Sequence, residues 1–243
     1  MRCAIVIPVY NHEATVAAVV RRSLALGYPV FVVDDGSTDA TCDRMKDITG
    51  VTILRHAENR GKGAALLTGF AAAARVADWA ITLDADGQHD PADAPALLAA
   101  VPPGLRPIVA GCREGMFSAN VPWPSRFGRK FSNFWVQASG GPAIKDSQCG
   151  MRLYPLPETL KLPVASRRFQ FEVEVLVKAR WYGIPVLEAP VQVVYAPRGE
   201  RISHYRGFVD FMRNSAAFTR LIFGRMFFLP FIRLKQKGCK VTP

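Results

Sequence analysis

The chain has no apolar run approaching the ~20 residues that a bilayer-spanning helix needs, so no transmembrane segment is expected. Its five cysteines, Cys3, Cys42, Cys112, Cys149 and Cys239, are odd in number and form no C-x-x-C pair or Cys/His cluster. That pattern supports neither a disulfide framework nor a zinc site, and it fits reduced thiols in a cytosolic setting. No G-x-G-x-x-G follows the first predicted strand, which argues against a dinucleotide-dependent oxidoreductase. Gly61-Lys62-Gly63 lacks the G-x-x-x-x-G-K-[ST] spacing of a P-loop. Internal repeats, low-complexity tracts and a clear interdomain linker are all missing. Met1 leads directly into a predicted strand, so a secretory leader is not expected. Acidic residues are scarce in one half only. Residues 1–100 carry 9 Lys/Arg against 12 Asp/Glu, and residues 101–243 carry 22 against 8. The net charge of +11 therefore belongs to the second half and suits an anionic partner: phosphate, nucleic acid or an anionic membrane face.

With 243 residues, 49% of them hydrophobic, the chain can build one large domain, or one domain with a C-terminal appendage. Cys3 to Tyr10 is a short β-rich apolar run, and 14–26 follows with apolar residues at helical spacing. Val30 to Val33 is a second strand, 40–48 a predicted helix, Val51 to Leu54 a third strand and 64–76 an alanine-rich helix. A fourth strand runs through Trp79 to Leu83. Asp90-Pro91 is a fair N-cap and first-turn pair for a helix through Ala100. Ile108 to Ala110 is a fifth strand, 126–138 and 169–181 read as helices, and 186–195 as one or two strands broken by Pro190. From Phe208 to Pro230 the sequence is rich in Phe, Met and Leu, punctuated by Arg213, Arg220 and Arg225. Strands alternating with helices imply parallel pairing through right-handed crossovers, hence an open α/β sheet.

Two of these strands end in acids. The fourth runs into Asp84-Ala85-Asp86-Gly87-Gln88, and the second into Asp34-Asp35-Gly36-Ser37. Asp-x-Asp alone is common in solvated turns. A buried strand that ends in two carboxylates, with an amide two residues on, points instead to a hard divalent cation, Mg²⁺ or Mn²⁺, shared with substrate phosphates. In open α/β sheets ligands bind beyond the carboxyl ends of the strands, where Tyr10, Asp34, Asp35, Asp84 and Asp86 would gather.

The set Ile7-Pro8-Val9-Tyr10-Asn11, Val33-Asp34-Asp35-Gly36-Ser37-Thr38-Asp39, Asn59-Arg60-Gly61-Lys62-Gly63 and Asp84-Ala85-Asp86-Gly87-Gln88-His89 resembles glycosyltransferase family 2. Within it, the chain looks most like the branch of polyprenyl-phosphate sugar synthases. Gly111-Cys112-Arg113, Asp146 to Gly150 and Arg198 to His204 resemble later motifs of that branch. The last departs from it at Arg201 and His204, where Gly and Lys are usual. The resemblance implies a GT-A fold (a Rossmann-like, mostly parallel open sheet flanked by helices), a nucleotide-sugar donor, a divalent metal and an inverting transfer. By matching position, Pro8, Tyr10 and Glu13 would line the nucleotide pocket, and Asp35, or its neighbour Asp34, would bind the base. Asp84 would contact nucleotide or metal, Asp86 and Gln88 would be metal ligands, and Arg113 would lie near the sugar phosphate. The expected division is a GT-A domain at 1–204, with a nucleotide half at 1–110 and an acceptor half at 111–204. A basic, Phe-rich, amphipathic segment at 205–243 follows, which either packs on the domain or lies in a membrane interface.

The acceptor divides the readings. A lipid phosphate is already anionic and needs only cationic positioning, for which Arg126, Arg129, Arg198 and Arg201 are candidates. A hydroxyl acceptor needs a positioned base, and Asp146 is the remaining acid in a plausible loop. Glu172 and Glu174 read as a solvated helix face or ion-pair partners, and His56 and His89 as surface or supporting residues. The expectation is an enzyme at the inner face of the cytoplasmic membrane that takes a nucleotide sugar and a polyprenyl phosphate or other lipid-linked acceptor. A basic nucleic-acid-binding module is the rival of another class. It leaves the N-terminal acids unexplained, so no nucleic acid is expected.

Overall fold

The computed structural model describes residues 1–114, 123–193, 207–230 and 232, with the side chains of 123–126, 207 and 208 left aside. Seven strands form one sheet: β1 Cys3–Val9, β2 Val30–Asp34, β3 Val51–Arg55, β4 Trp79–Thr82, β5 Ile108–Arg113, β6 Arg152–Pro155 and β7 Val186–Val191. Six helices accompany them: α1 Val16–Leu24, α2 Lys62–Ala73, α3 Ala94–Ala99, α4 Trp123–Ala138, α5 Phe171–Trp181 and α6 Gly207–Phe227. The sheet order is β3-β2-β1-β4-β6-β5-β7. All pairings are parallel except those of β6, which runs antiparallel to both β4 and β5.

The strand sequence explains the layering. Every residue of β1 is buried, as a central parallel strand covered on both faces requires. Alternation then sends Ile5, Ile7 and Val9 to the face packed by Val16, Val19 and Val20 of α1, and Ala4 and Val6 to the face packed by Leu66 and Phe70 of α2. Strand β3 is largely exposed, in keeping with its edge position.

The structure corrects two sequence expectations. Residues 40–48 form only one 3-10 turn, Asp43–Met45. Side chains of the preceding loops explain this: Glu13 Oε2 accepts from Ala40 N at 2.9 Å and Asp39 Oδ1 from Thr41 N at 3.0 Å, giving those backbone groups partners outside a helix. Pro190 does not break β7, which runs continuously from Val186 to Val191. Among the described residues β7 pairs only with β5, and an edge strand tolerates a missing N–H. Asp90 accepts from Ala92 N at 2.9 Å and caps the 3-10 turn Pro91–Asp93, while α3 starts only at Ala94 behind Asp93, whose side chain makes no cap. The C-terminal helix α6 packs against the body: Phe218, Leu221 and Leu229 join Val136, Val173, Val177 and Trp181 in a third apolar cluster.

Candidate active site

The parallel strands β1, β2 and β4 all end at one margin, and a cavity of about 590 Å³ opens there. Its walls come from four places. Pro8, Val9 and Tyr10 close β1, Asp35 follows β2, Asn59 to Lys62 enter α2, and Asp84 to Gln88 follow β4. Arg168 and Phe169, just before α5, and Asp210 and Arg213 of α6 complete it.

The loops after β1 and β2 are laced together. Asn11, in the left-handed region at φ 53°, donates its N–H to Ser37 Oγ at 2.9 Å and accepts from Thr38 N at 2.8 Å. The adjacent acids divide their work. Asp34 is fully buried and turned into its own loop, accepting from Ser37 N at 2.9 Å and Cys42 Sγ at 2.8 Å and pairing with Arg55 at 3.2 Å. Asp35 faces the cavity. Its oxygens accept from Arg60 N at 3.0 Å and Gly61 N at 2.7 Å, and His56 Nδ1 lies 2.7 Å away. His56 is itself buried, its Nε2 lying 3.0 Å from Thr68 Oγ1, so it ties Asp35 to α2.

Asp84 and Asp86 line the same cavity from the loop after β4. Lys62 Nζ lies 2.6 Å from Asp84 Oδ1 and 2.6 Å from Glu172 Oε1, joining β4 to α5 through one ammonium. Burial works to raise the Asp84 pKa, but the Lys62 charge and hydrogen bond outweigh it and hold the carboxyl below its ordinary value. Burial also opposes the Lys62 charge, and the two carboxylates overcome it to raise the ammonium pKa. Asp86 is different. Burial, followed by the neighbouring Asp84 charge, pushes its pKa up to about 6, while Gln88 N donates to its Oδ1 at 3.0 Å. The cavity therefore holds one neutralised carboxylate and one that is costly to ionise alone.

Among the described residues no three carboxylate, imidazole or thiol groups converge to cage an ion. The donor set nevertheless fits a hard cation that keeps water and takes phosphate oxygens from its substrate. Asp86 and Gln88, two residues apart and both carrying side-chain oxygens, line the cavity, and a cation there would relieve the strain that burial and Asp84 place on ionised Asp86.

Other sequence candidates fall elsewhere. Glu13 is exposed, away from the cavity wall, and accepts the Ala40 N–H described above. Arg113 and Asp146 find each other: Nε and Nη2 of the arginine meet the two carboxylate oxygens at 2.6 and 2.9 Å, with Asp146 fully buried. Arg129 is buried on α4 and does not line the cavity. Arg126 belongs to α4 with its side chain outside the described residues, and Arg198 and Arg201 lie outside them altogether. Glu174 is a buried ion-pair partner, 2.7 Å from Arg220. His89 is buried beside Cys149, and burial lowers its pKa.

Sequence reading missed Lys62, Glu172, Arg168, Asp210 and Arg213 as parts of this site. Only Lys62 carried a signal, a cation between two glycines at the start of a helix. Packing of α5 and α6 brings Arg168, Asp210 and Arg213 to the cavity and sets Glu172 behind Lys62.

This arrangement, a mostly parallel sheet with β6 reversed and a diacid at the carboxyl margin of its parallel strands, is that of a GT-A fold. Two crystal structures of glucosyl-3-phosphoglycerate synthase from Mycobacterium tuberculosis superpose with TM-scores of 0.65 and 0.63, at 18% and 19% identity. They cover 92% of this chain and 80% and 79% of theirs. The family model "Glycosyl transferase family 2" matches residues 4–155, and the chain belongs to that family. An uncharacterized protein of Methanocaldococcus jannaschii is 32% identical over 197 residues, covering 79% of this chain and 81% of its own length. The UDP-N-acetylglucosamine–dolichyl-phosphate N-acetylglucosaminyltransferase of Methanococcus voltae is 28% identical, covering 79% of this chain and 85% of that one. An undecaprenyl-phosphate 4-deoxy-4-formamido-L-arabinose transferase of Pseudomonas aeruginosa is 31% identical over 83% of this chain, which spans 60% of that longer relative.

Proposed function

We propose that this glycosyltransferase moves a sugar, with inversion, from a nucleotide-sugar donor to a polyprenyl phosphate, and that it does so with Mg²⁺ or Mn²⁺ at the cytoplasmic face of a membrane. The observation that carries the reading is the cavity in which Asp84, Asp86 and Gln88 face Asp35 and Tyr10 across one strand margin. The names of the relatives from Methanococcus voltae and Pseudomonas aeruginosa supply the lipid-phosphate acceptor.

Pro8, Tyr10 and Asp35 form the nucleoside end, and Asp86 with Gln88, backed by Asp84, the diphosphate end. The bound cation supplies charge stabilisation for the departing diphosphate. Arg168 adds positive charge to the same cavity, whereas Arg213 is paired with Asp210 at 3.2 Å; the Arg168 charge opposes the negative charge that develops on the leaving group. The acceptor attacks the anomeric carbon from the opposite face. A phosphate oxygen does so without losing a proton, so the site needs cations rather than a base. The Arg113–Asp146 pair agrees with this, since both oxygens of Asp146 are committed to a guanidinium. Arg126, Arg198 and Arg201 remain candidates to receive the lipid phosphate, whereas buried Arg129 does not.

Among the described residues no helix is long and apolar enough to cross a membrane. The α4 and α6 surfaces expose Phe127, Phe134, Phe211, Met212, Phe223, Met226 and Phe227, and the turn after α6 exposes Phe228, between 43% and 66% accessible. Exposed Lys130, Arg220 and Arg225 share those helices. Apolar side chains beside cations suit an anionic lipid interface.

The test is a panel of UDP- and GDP-sugars with polyprenyl phosphate vesicles and Mn²⁺ or Mg²⁺, with Asp86→Ala as the control. A metal-dependent, acid-labile lipid product supports the reading. A product that survives mild acid would identify a hydroxyl acceptor instead.

A further inference from the structure

Lys62 breaks a local rule. It is the first residue of α2, where the positive end of the helix dipole disfavours a cation, and no acidic residue occupies that first turn. The backbone around it is built for close approach. Gly61 sits at φ +100°, and a Cβ there would lie 2.4 Å from Arg168 Cγ, while one on Gly63 would lie 2.5 Å from Phe171 Cβ. Two glycines thus press this turn against the start of α5 and set the ammonium between Asp84 and Glu172, both at 2.6 Å. The Lys62 side chain is only 15% exposed, yet it lines the cavity beside Asp86.

We propose that Lys62 is a resident counter-ion of the donor site, which keeps a free divalent cation off the Asp84–Asp86 wall and transfers its ammonium to the donor's diphosphate when cation and nucleotide enter together. The proposal deepens the reading above and rests on it. A bare divalent ion approaching this wall meets an ammonium already bound to one of the two carboxylates, so attraction is offset by repulsion. A cation–nucleotide complex brings its own phosphate charge, which Lys62 and Arg168 attract. Glu172 holds the ammonium throughout, so release from Asp84 does not leave a buried charge unpaired. Asp84 is then free to turn toward the incoming cation. The site consequently loads nucleotide and metal as a pair.

The experiment measures Mn²⁺ binding to the full chain by the electron paramagnetic resonance signal of free Mn²⁺, alone and with UDP or GDP. The wild type is expected to bind Mn²⁺ at least tenfold more tightly with whichever nucleotide it accepts than without. Lys62→Met is expected to bind Mn²⁺ alone at least tenfold more tightly than the wild type and to bind metal-free nucleotide more weakly. Because that change leaves two carboxylates uncompensated, Lys62→Met/Glu172→Gln is measured beside it, with circular dichroism melts identifying the folded variants. The same tightening in the folded double variant supports the proposal. Unchanged or weaker binding of Mn²⁺ alone in the folded variants overturns it while leaving the donor site standing. Failure of the wild type to bind Mn²⁺ with either nucleotide overturns both.

Discussion

A Cβ built on Gly150 would stand 2.1 Å from Oδ2 of Asp84. The loop before β6 thus lies directly against the carboxylate that Lys62 holds from its other oxygen. Asp84 is positioned by a missing side chain as much as by a present charge.

Gly150→Ala should therefore act on the site more than on the fold. The colliding atom is the end of a side chain, which can swing away, so the variant is expected to lose about 1 kcal/mol of stability or less. Displacing Asp84 should lower kcat by at least tenfold. Denaturant unfolding and steady-state kinetics on one preparation check both; a variant that unfolds at room temperature contradicts the account.

The raised carboxyl of Asp86 gives a pH-dependent stability. In the folded, metal-free protein it titrates near 6, against an ordinary value of 3.8. Protonation is favoured by folding, so the stability this group contributes is complete below about pH 4 and disappears as pH rises through about 6. Metal-free Asp86→Asn should then exceed the wild type by about 3 kcal/mol at pH 8 and match it near pH 4. Melts across that range decide the matter, and a gap that widens toward acid refutes the assignment.

Asp146 separates two views of the acceptor. As a buried partner of Arg113 it should be needed for folding, and Asp146→Asn is expected to cost about 3–5 kcal/mol by breaking a buried ion pair. A general base predicts the reverse, a stable protein with little turnover. Urea midpoints set beside kcat at saturating acceptor distinguish them.

Exposed aromatics on α6 should bind lipid. Replacing Phe223, Met226 and Phe227, all more than half accessible, with serine is expected to reduce cosedimentation with phosphatidylglycerol-containing vesicles severalfold. Turnover of a water-soluble, short-chain acceptor should change little. Equal sedimentation of variant and wild type would remove the membrane from the account.

The strand ends were legible in the sequence because their signal is local: an apolar run stops, and Asp35 or Asp84 follows. The same locality explains what was missed. Asp34 and Asp35 are neighbours with the same chemistry, and only the loop hydrogen bonds to Ser37, Arg60 and Gly61 decide which one faces the cavity. Glu172 could be read as a solvated position or an ion-pair partner, and it is the second, but its partner Lys62 stands 110 residues away and could not be named from the sequence. Asp210 and Arg213 joined the site through α6, which reads in sequence as a tail and packs in the structure through Phe218 and Leu221. Residues 40–48 carried a helical pattern that hydrogen bonds from Glu13 and Asp39 overrode.

The reversed strand β6 also sets a schedule for synthesis. It lies between β4 and β5, so β5, although made about forty residues earlier, has no place beside β4 until Arg152–Pro155 leaves the ribosome. During that interval the growing chain presents β4 as an open edge, a template for pairing with other nascent chains. The span from β4 to β6 is thus where this protein is most in need of a chaperone.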